Sequence, residues 1–148
     1  MSAESSDSNL HLIETSAWIP VLRKRHPAGP GLRARITYLQ GLGLAATTNI
    51  VVFELLRGAR DVSNYQELAT GLGTLPLLPI PAERWQEAAR LGFELRVHHG
   101  LSFPSADLLI AAVAIAHDAT LIHRDSDFDL IAKHTALRVE SYTYLGYS

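Results

Sequence analysis

The stretch Leu10-His11-Leu12-Ile13-Glu14-Thr15-Ser16 decides the fold. Its first four residues are apolar except for His11, and such a run predicts a strand buried in a parallel sheet. Glu14 ends the run, and Thr15 or Ser16 is placed to cap a helix that continues through Ala17-Trp18-Ile19. That helix tolerates Pro20 in its first turn and ends in Arg23-Lys24-Arg25-His26, with positive charge at its C-terminus.

The same alternation recurs downstream. Strands are predicted at Leu44–Thr48, Leu77–Ile80, Ala119–His123 and Leu137–Ser141. Pro76, Pro79 and Pro81 make the third strand an edge. After the loop Pro27–Gly31, Leu32, Ile36 and Leu39 keep helical spacing. Asn49 can cap a helix carrying Val52, Leu55, Leu56 and Ala59, and a further helix covers Ser63–Leu72. Ala82–His99 is amphipathic, with Trp85, Ala88, Ala89, Gly92 and Leu95 on one side, so both Trp18 and Trp85 read as core. Ser105 opens a helix to about His117, and a short one lies around Leu130–Lys133. Strands alternating with helices give a single α/β domain, with a parallel sheet of about five strands and helices on both faces. Residues 1–9 are polar and serine-rich and read as a flexible tail, and the domain takes 10–148.

Composition agrees. The 148 residues are 47% apolar and 19% charged, a globular balance with enough chain for one core. No cysteine is present, which excludes a disulfide framework, a zinc finger and a thiol nucleophile. No export signal or membrane span is visible, and a cytoplasmic protein is expected. The net charge of −2 is uneven. The segment from Arg23 to Arg60 holds seven basic residues against Glu54 and contributes +6, while the remainder contributes −8.

In an open parallel sheet, function collects beyond the carboxyl ends of the strands. Glu14 follows the first strand, and Asp125 and Asp127 follow the fourth. Asp107 lies in the first turn of a helix leading to the fourth strand, and Glu54 lies one turn into the helix after the second. Carboxylates gathered on one rim raise one another's pKa unless a cation compensates, and a hard divalent metal, Mg²⁺ or Mn²⁺, is the economical one. Such an ion activates water against a phosphodiester without a protein nucleophile.

Each acid also has a plain role. Glu54 can pair with Arg57, Asp107 can be a first-turn helix charge, and Asp125, Asp127 and Asp129 can cap a loop. Glu14, directly ending a buried strand, is hardest to explain that way. Among the seven histidines, His123 stands out because it lies two residues before Asp125. It reads equally as a wall of the site or as a buried strand residue.

Four motifs, in order, resemble the PIN-domain family. They are Ile13-Glu14-Thr15-Ser16-Ala17-Trp18-Ile19, Val52-Phe53-Glu54-Leu55-Leu56-Arg57-Gly58, Ser105-Ala106-Asp107-Leu108-Leu109-Ile110-Ala111-Ala112 and His123-Arg124-Asp125-Ser126-Asp127-Phe128. Order, spacing and length resemble the VapC toxins of VapBC toxin–antitoxin modules. The resemblance implies a PIN-like three-layer α/β/α fold and a Mg²⁺- or Mn²⁺-dependent endoribonuclease. It also implies a homodimer, and an inhibitory VapB-like antitoxin lying across the acidic site. Carried onto this chain, it makes Glu14, Glu54, Asp107 and Asp125 the acidic quartet, with Asp127 auxiliary and Ser16 supporting the metal shell. Glu14, Asp107 and Asp125 would hold the metal.

The arginine-rich segment, with Arg23, Lys24, Arg25 and Arg57, would then meet RNA. Glu14 departs from the family, which carries aspartate there, so its carboxylate reaches one methylene further. The departure leaves an alternative: a catalytically impaired PIN-like module that binds RNA or antitoxin without cutting.

Overall fold

The computed structural model describes residues 9–144, so the expected tail at residues 1–9 falls, but for Asn9, outside the described residues. Five parallel strands form one sheet in the order β3-β2-β1-β4-β5: β1 (His11–Ile13), β2 (Ala45–Thr48), β3 (Leu77–Leu78), β4 (Thr120–His123) and β5 (Arg138–Ser141). The helices among the described residues are α1 (Thr15–Leu22), α2 (Gly29–Gly41), α3 (Asn49–Arg57), α4 (Val62–Leu72), α5 (Ala82–His99), α6 (Ser105–Ala116) and α7 (Ser126–His134). The main helix contacts divide them into two groups, α1 with α2 and α3 and then α3 with α4, and α5 with α6 and then α6 with α7.

β1 occupies the middle of the sheet because it is buried on both faces, with Leu12 and Ile13 fully enclosed. From β1 the chain steps outward to β2 and β3 on one side, then returns to place β4 on the other. The crevice between β1 and β4 is therefore the point where strand order reverses. Leu12 pairs with Leu121 and Ile13 with Ile122, and the Glu14 amide donates to the Ile122 carbonyl at 2.9 Å. β3 is an edge strand, as its prolines predict. The Thr48 hydroxyl fastens it by donating to the Leu78 carbonyl at 2.8 Å.

Several local expectations need correction. Thr15 and Ser16 do not cap α1; β1 enters the helix with no loop between, so Glu14 itself is the cap. α1 stops at Leu22, which leaves the basic run in the following loop and puts Pro20 in the second turn. The next helix begins at Gly29, inside the expected loop. Thr48, not Asn49, sits at the cap of α3. α7 begins at Ser126 instead of near Leu130, because the Asp125 carboxylate accepts the Asp127 amide and starts the helix at once.

Trp18 is buried as expected, but Trp85 is 57% exposed. α5 turns Ala88 and Leu95 inward, with Gly92 between them on the same face. A Cβ at Gly92 would lie 2.7 Å from Leu108 Cδ1, so a larger residue there would require the Leu108 side chain to shift. Gly100 then ends α5 in the left-handed region, at φ 68°. α6 is apolar nearly all round and is buried from Leu109 to Ala114, as a central helix must be.

Phe128 is the largest fully buried side chain and anchors α7 beneath the rim. Phe128→Ala is expected to cost about 3–5 kcal/mol. A urea titration measures this as a lower midpoint with an unchanged slope.

Candidate functional site

Three consecutive residues organise the rim. Glu14 has extended backbone (φ −82°, ψ 157°), and its Oε1 accepts the Ser16 amide at 2.9 Å and the Ser16 hydroxyl. Ser16 Oγ in turn accepts the Arg124 amide at 2.8 Å, which joins the top of β1 to the turn after β4. Thr15 Oγ1 donates to Glu54 Oε1 at 2.6 Å, which draws the α3 carboxylate toward the same turn.

Asp107 stands in the first turn of α6, where the helix dipole favours a negative charge. Asp125 caps α7, with its Oδ1 accepting the Asp127 amide at 3.0 Å. Single carboxylate oxygens from Asp107, Asp125 and Asp127 all lie within 4.8 Å of one another. Glu14 is not one of that trio, but its charge is among those that raise Asp107.

The electrostatics are those of partly buried acids gathered close together. Burial pushes the Glu14 carboxyl up; the two Ser16 bonds oppose this, while Glu54 and Asp125 add to it. Asp107 is pushed up to about 7, first by burial and then by the charges of Asp125, Glu14 and Asp127. The trio offers only carboxylate oxygens, the donor set preferred by Mg²⁺ and Mn²⁺. A divalent cation would remove the repulsion that raises Asp107, so the residues present fit such an ion.

A cleft of about 840 Å³ opens beside the rim, between α1, α3 and α4. Thr15 and Glu54 form part of its wall, and Trp18, Leu55 and Leu72 supply apolar surface. Arg23, Lys24 and Arg60 also line it, which brings part of the basic segment onto one surface with an acid of the site. Arg25, at φ 64°, and Arg57, whose guanidinium lies 5.7 Å from the Phe53 ring centroid, are not among the cleft residues. Arg33 donates to the Val21 carbonyl and Arg35 pairs with Glu140, so neither joins the cleft surface.

Sequence reasoning missed two supports. One is Thr15, the donor to Glu54. The other is Asp129, whose Oδ1 lies 3.2 Å from Nε2 of the fully buried His123. The signal for the second was the spacing: Asp129 follows the cap Asp125 by four residues, one helical turn.

Residues 12–134 match the PIN domain family. The chain is 31% identical over 139 residues to ribonuclease VapC11 of Mycobacterium tuberculosis, covering 88% of this chain and 98% of that one. It is 34% identical to ribonuclease VapC51 of the same organism, covering 72% and 77%. Among solved structures it is similar to VapBC2 of Rickettsia felis bound to a promoter DNA fragment, with TM-score 0.73, 25% identity and coverage of 90% and 98%.

The raised Asp107 carboxyl makes the metal-free fold pH-sensitive. Below about pH 4 the group is protonated folded and unfolded alike. Between pH 4 and 7 only the unfolded chain ionises it, so stability falls as pH rises to 7. Asp107→Asn is therefore expected to stabilise the metal-free protein by about 1–2 kcal/mol above pH 7, after discount for partial exposure, and to give no gain at pH 4. Thermal melts in EDTA across that range measure the difference.

Proposed function

Because the chain belongs to the PIN-domain family, in its VapC ribonuclease branch, we propose that its rim acids form the active centre of an endoribonuclease toxin from a toxin–antitoxin module. The reaction is hydrolysis of a phosphodiester bond in RNA. The observation that carries this reading is the Asp107–Asp125–Asp127 trio, brought together from the first turn of α6 and the start of α7.

PIN-domain ribonucleases generally depend on a divalent metal. Mg²⁺ or Mn²⁺ is the ion proposed for this chain, held by Asp107, Asp125 and Asp127. Bound there, it supplies Lewis-acid stabilisation of phosphoryl oxygens and a more acidic water. The protein's own groups do the rest. Asp125 is oriented in part by its cap bond to the Asp127 amide. Glu14 holds Ser16, which grips the Arg124 amide, so the crevice keeps its width. Glu54, steadied by Thr15, presents a carboxylate at the cleft wall able to orient a water or accept its proton. Glu14 caps α1 through the Ser16 amide, a role that aspartate also fills at helix N-termini.

Arg23 and Lys24 line the cleft and are proposed to meet the RNA backbone; Arg25 and Arg57 are proposed to extend that basic surface outside the cleft. An antitoxin segment is proposed to occupy the same cleft. Support comes from its apolar walls, which include Trp18, Leu55 and Leu72. The proposed assembly is a homodimer in the cytoplasm. Trp85, Phe93 and Val97, eight and then four residues apart along α5 and each at least half exposed, give it an apolar face. Among the described residues, no helix is long and apolar enough to cross a membrane. The impaired-module alternative is not favoured, since the relatives matched over most of the chain are ribonucleases.

Incubated with cellular RNA, the protein is expected to cleave in Mg²⁺ or Mn²⁺ and to stop in EDTA. Asp107→Asn should slow cleavage by about 100-fold or more. Equal cleavage by that variant, or in EDTA, rejects the mechanism. In the Asp107→Asn background, adding Arg23→Ala and Lys24→Ala should weaken RNA binding. It should also reduce the slope of log affinity against log salt by about 1.4, roughly 0.7 per lost phosphate contact.

A further inference from the structure

His123 is completely buried at the last position of β4, two residues before Asp125. Its two ring nitrogens face different partners. Nδ1 accepts the Asp125 backbone amide at 3.1 Å. That bond fixes the tautomer: in the neutral ring the proton sits on Nε2. Nε2 faces Asp129 Oδ1 at 3.2 Å, an approach whose N–H is not fully aligned on the oxygen. The other Asp129 oxygen accepts from Ser141 Oγ at 3.1 Å and Thr143 Oγ1 at 3.4 Å, so the carboxylate is held from the end of β5. The Phe128 ring packs on the imidazole, with centroids 5.4 Å apart, which restrains its tilt.

The chain of contacts therefore runs from β5 through Asp129 and His123 to the backbone of Asp125. We propose that His123 and Asp129 form a positioning relay that sets the orientation of the Asp125 carboxylate and thereby the affinity of the rim for a divalent cation. His123 touches neither the proposed ion nor substrate; it acts only through Asp125. The proposal rests on the metal-site reading above. It adds two residues to that reading, and it explains why a polar ring occupies the most enclosed end of a central strand. An apolar residue there would leave the Asp125 amide without its acceptor. The turn into α7 would then be free to rotate, and the cap carboxylate with it.

The two ends of the relay separate by mutation. Asn at 123 keeps an acceptor for the amide two residues on, as in an Asx turn, but cannot reach Asp129. Leu keeps the bulk and removes both functions. Asp129→Ala removes the support and leaves the ring.

Mn²⁺ affinity is read by electron paramagnetic resonance of the free ion, with Tm and circular dichroism recorded on the same samples. His123→Leu is expected to weaken Mn²⁺ binding 10- to 100-fold. Asp129→Ala should weaken it several-fold. His123→Asn should restore it to within about threefold of the parent, and adding Asp129→Ala to His123→Asn should change nothing further. If His123→Leu fails to fold, the two Asp129→Ala comparisons carry the test.

Mn²⁺ affinity unchanged in His123→Leu or in Asp129→Ala overturns the relay and leaves the metal site standing. Equal and additive losses from His123→Asn and Asp129→Ala also overturn it. Failure of the parent protein to bind Mn²⁺ overturns both readings.

Discussion

The parallel pairing of β1 with β4, closed at its top by the Glu14 amide on the Ile122 carbonyl, places one acid-bearing turn beside another. β1 ends in Glu14, and β4 runs through His123 to Asp125. Because these strands are neighbours at the reversal of strand order, the crevice between them is open to solvent on the carboxyl side. The remaining acids are brought to it by helices whose packing faces inward, α3 with Glu54 and α6 with Asp107. Stability of the sheet and geometry of the site are one problem: a slip of a single residue in the β1–β4 register would separate Glu14 from Asp125 and turn the buried faces outward.

The cost of the arrangement is electrostatic. Glu14 is nearly enclosed, and Asp107 is held near neutrality by burial and by three other carboxylates. The protein offsets this with local hydrogen bonds, Ser16 on Glu14, Thr15 on Glu54 and the Asp127 amide on Asp125. Arg23, Lys24 and Arg60 line the neighbouring cleft together with Glu54 and Glu67. The overall charge of −2 thus hides an uneven distribution, and it says little about whether RNA is a partner.

Much of this was legible because β-strands and their ends leave strong marks. The run Leu10–Ile13 and the abrupt acid after it located the central strand, the rim and the first site residue together. The prolines around Leu77 and Leu78 located the edge. What was not legible depended on packing. Trp85 looks like core by periodicity, yet α5 buries only Ala88 and Leu95 and leaves it 57% exposed. The basic run Arg23-Lys24-Arg25 looks like a helix end, yet α1 stops one residue earlier and frees those side chains into the cleft wall and loop. The early start of α7 at the Asp125 cap, which leaves the Asp127 carboxylate close to those of Asp107 and Asp125, was likewise not legible. Caps and close helix approaches are decided by a single side chain, so spacing alone does not reveal them.

The central claim is that the rim carries carboxylate repulsion which a divalent cation relieves. The most direct measurement is Tm at pH 8 with EDTA, with saturating Mg²⁺ or Mn²⁺, and with Na⁺ at matched ionic strength. Binding to the folded state alone should raise stability by about 2.7 kcal/mol at a free ion concentration one hundred times the dissociation constant. The account predicts that rise for the divalent ions, its absence in Na⁺, and its loss in Asp125→Asn. An equal rise in Na⁺, or a divalent-dependent rise that survives Asp125→Asn, would contradict it.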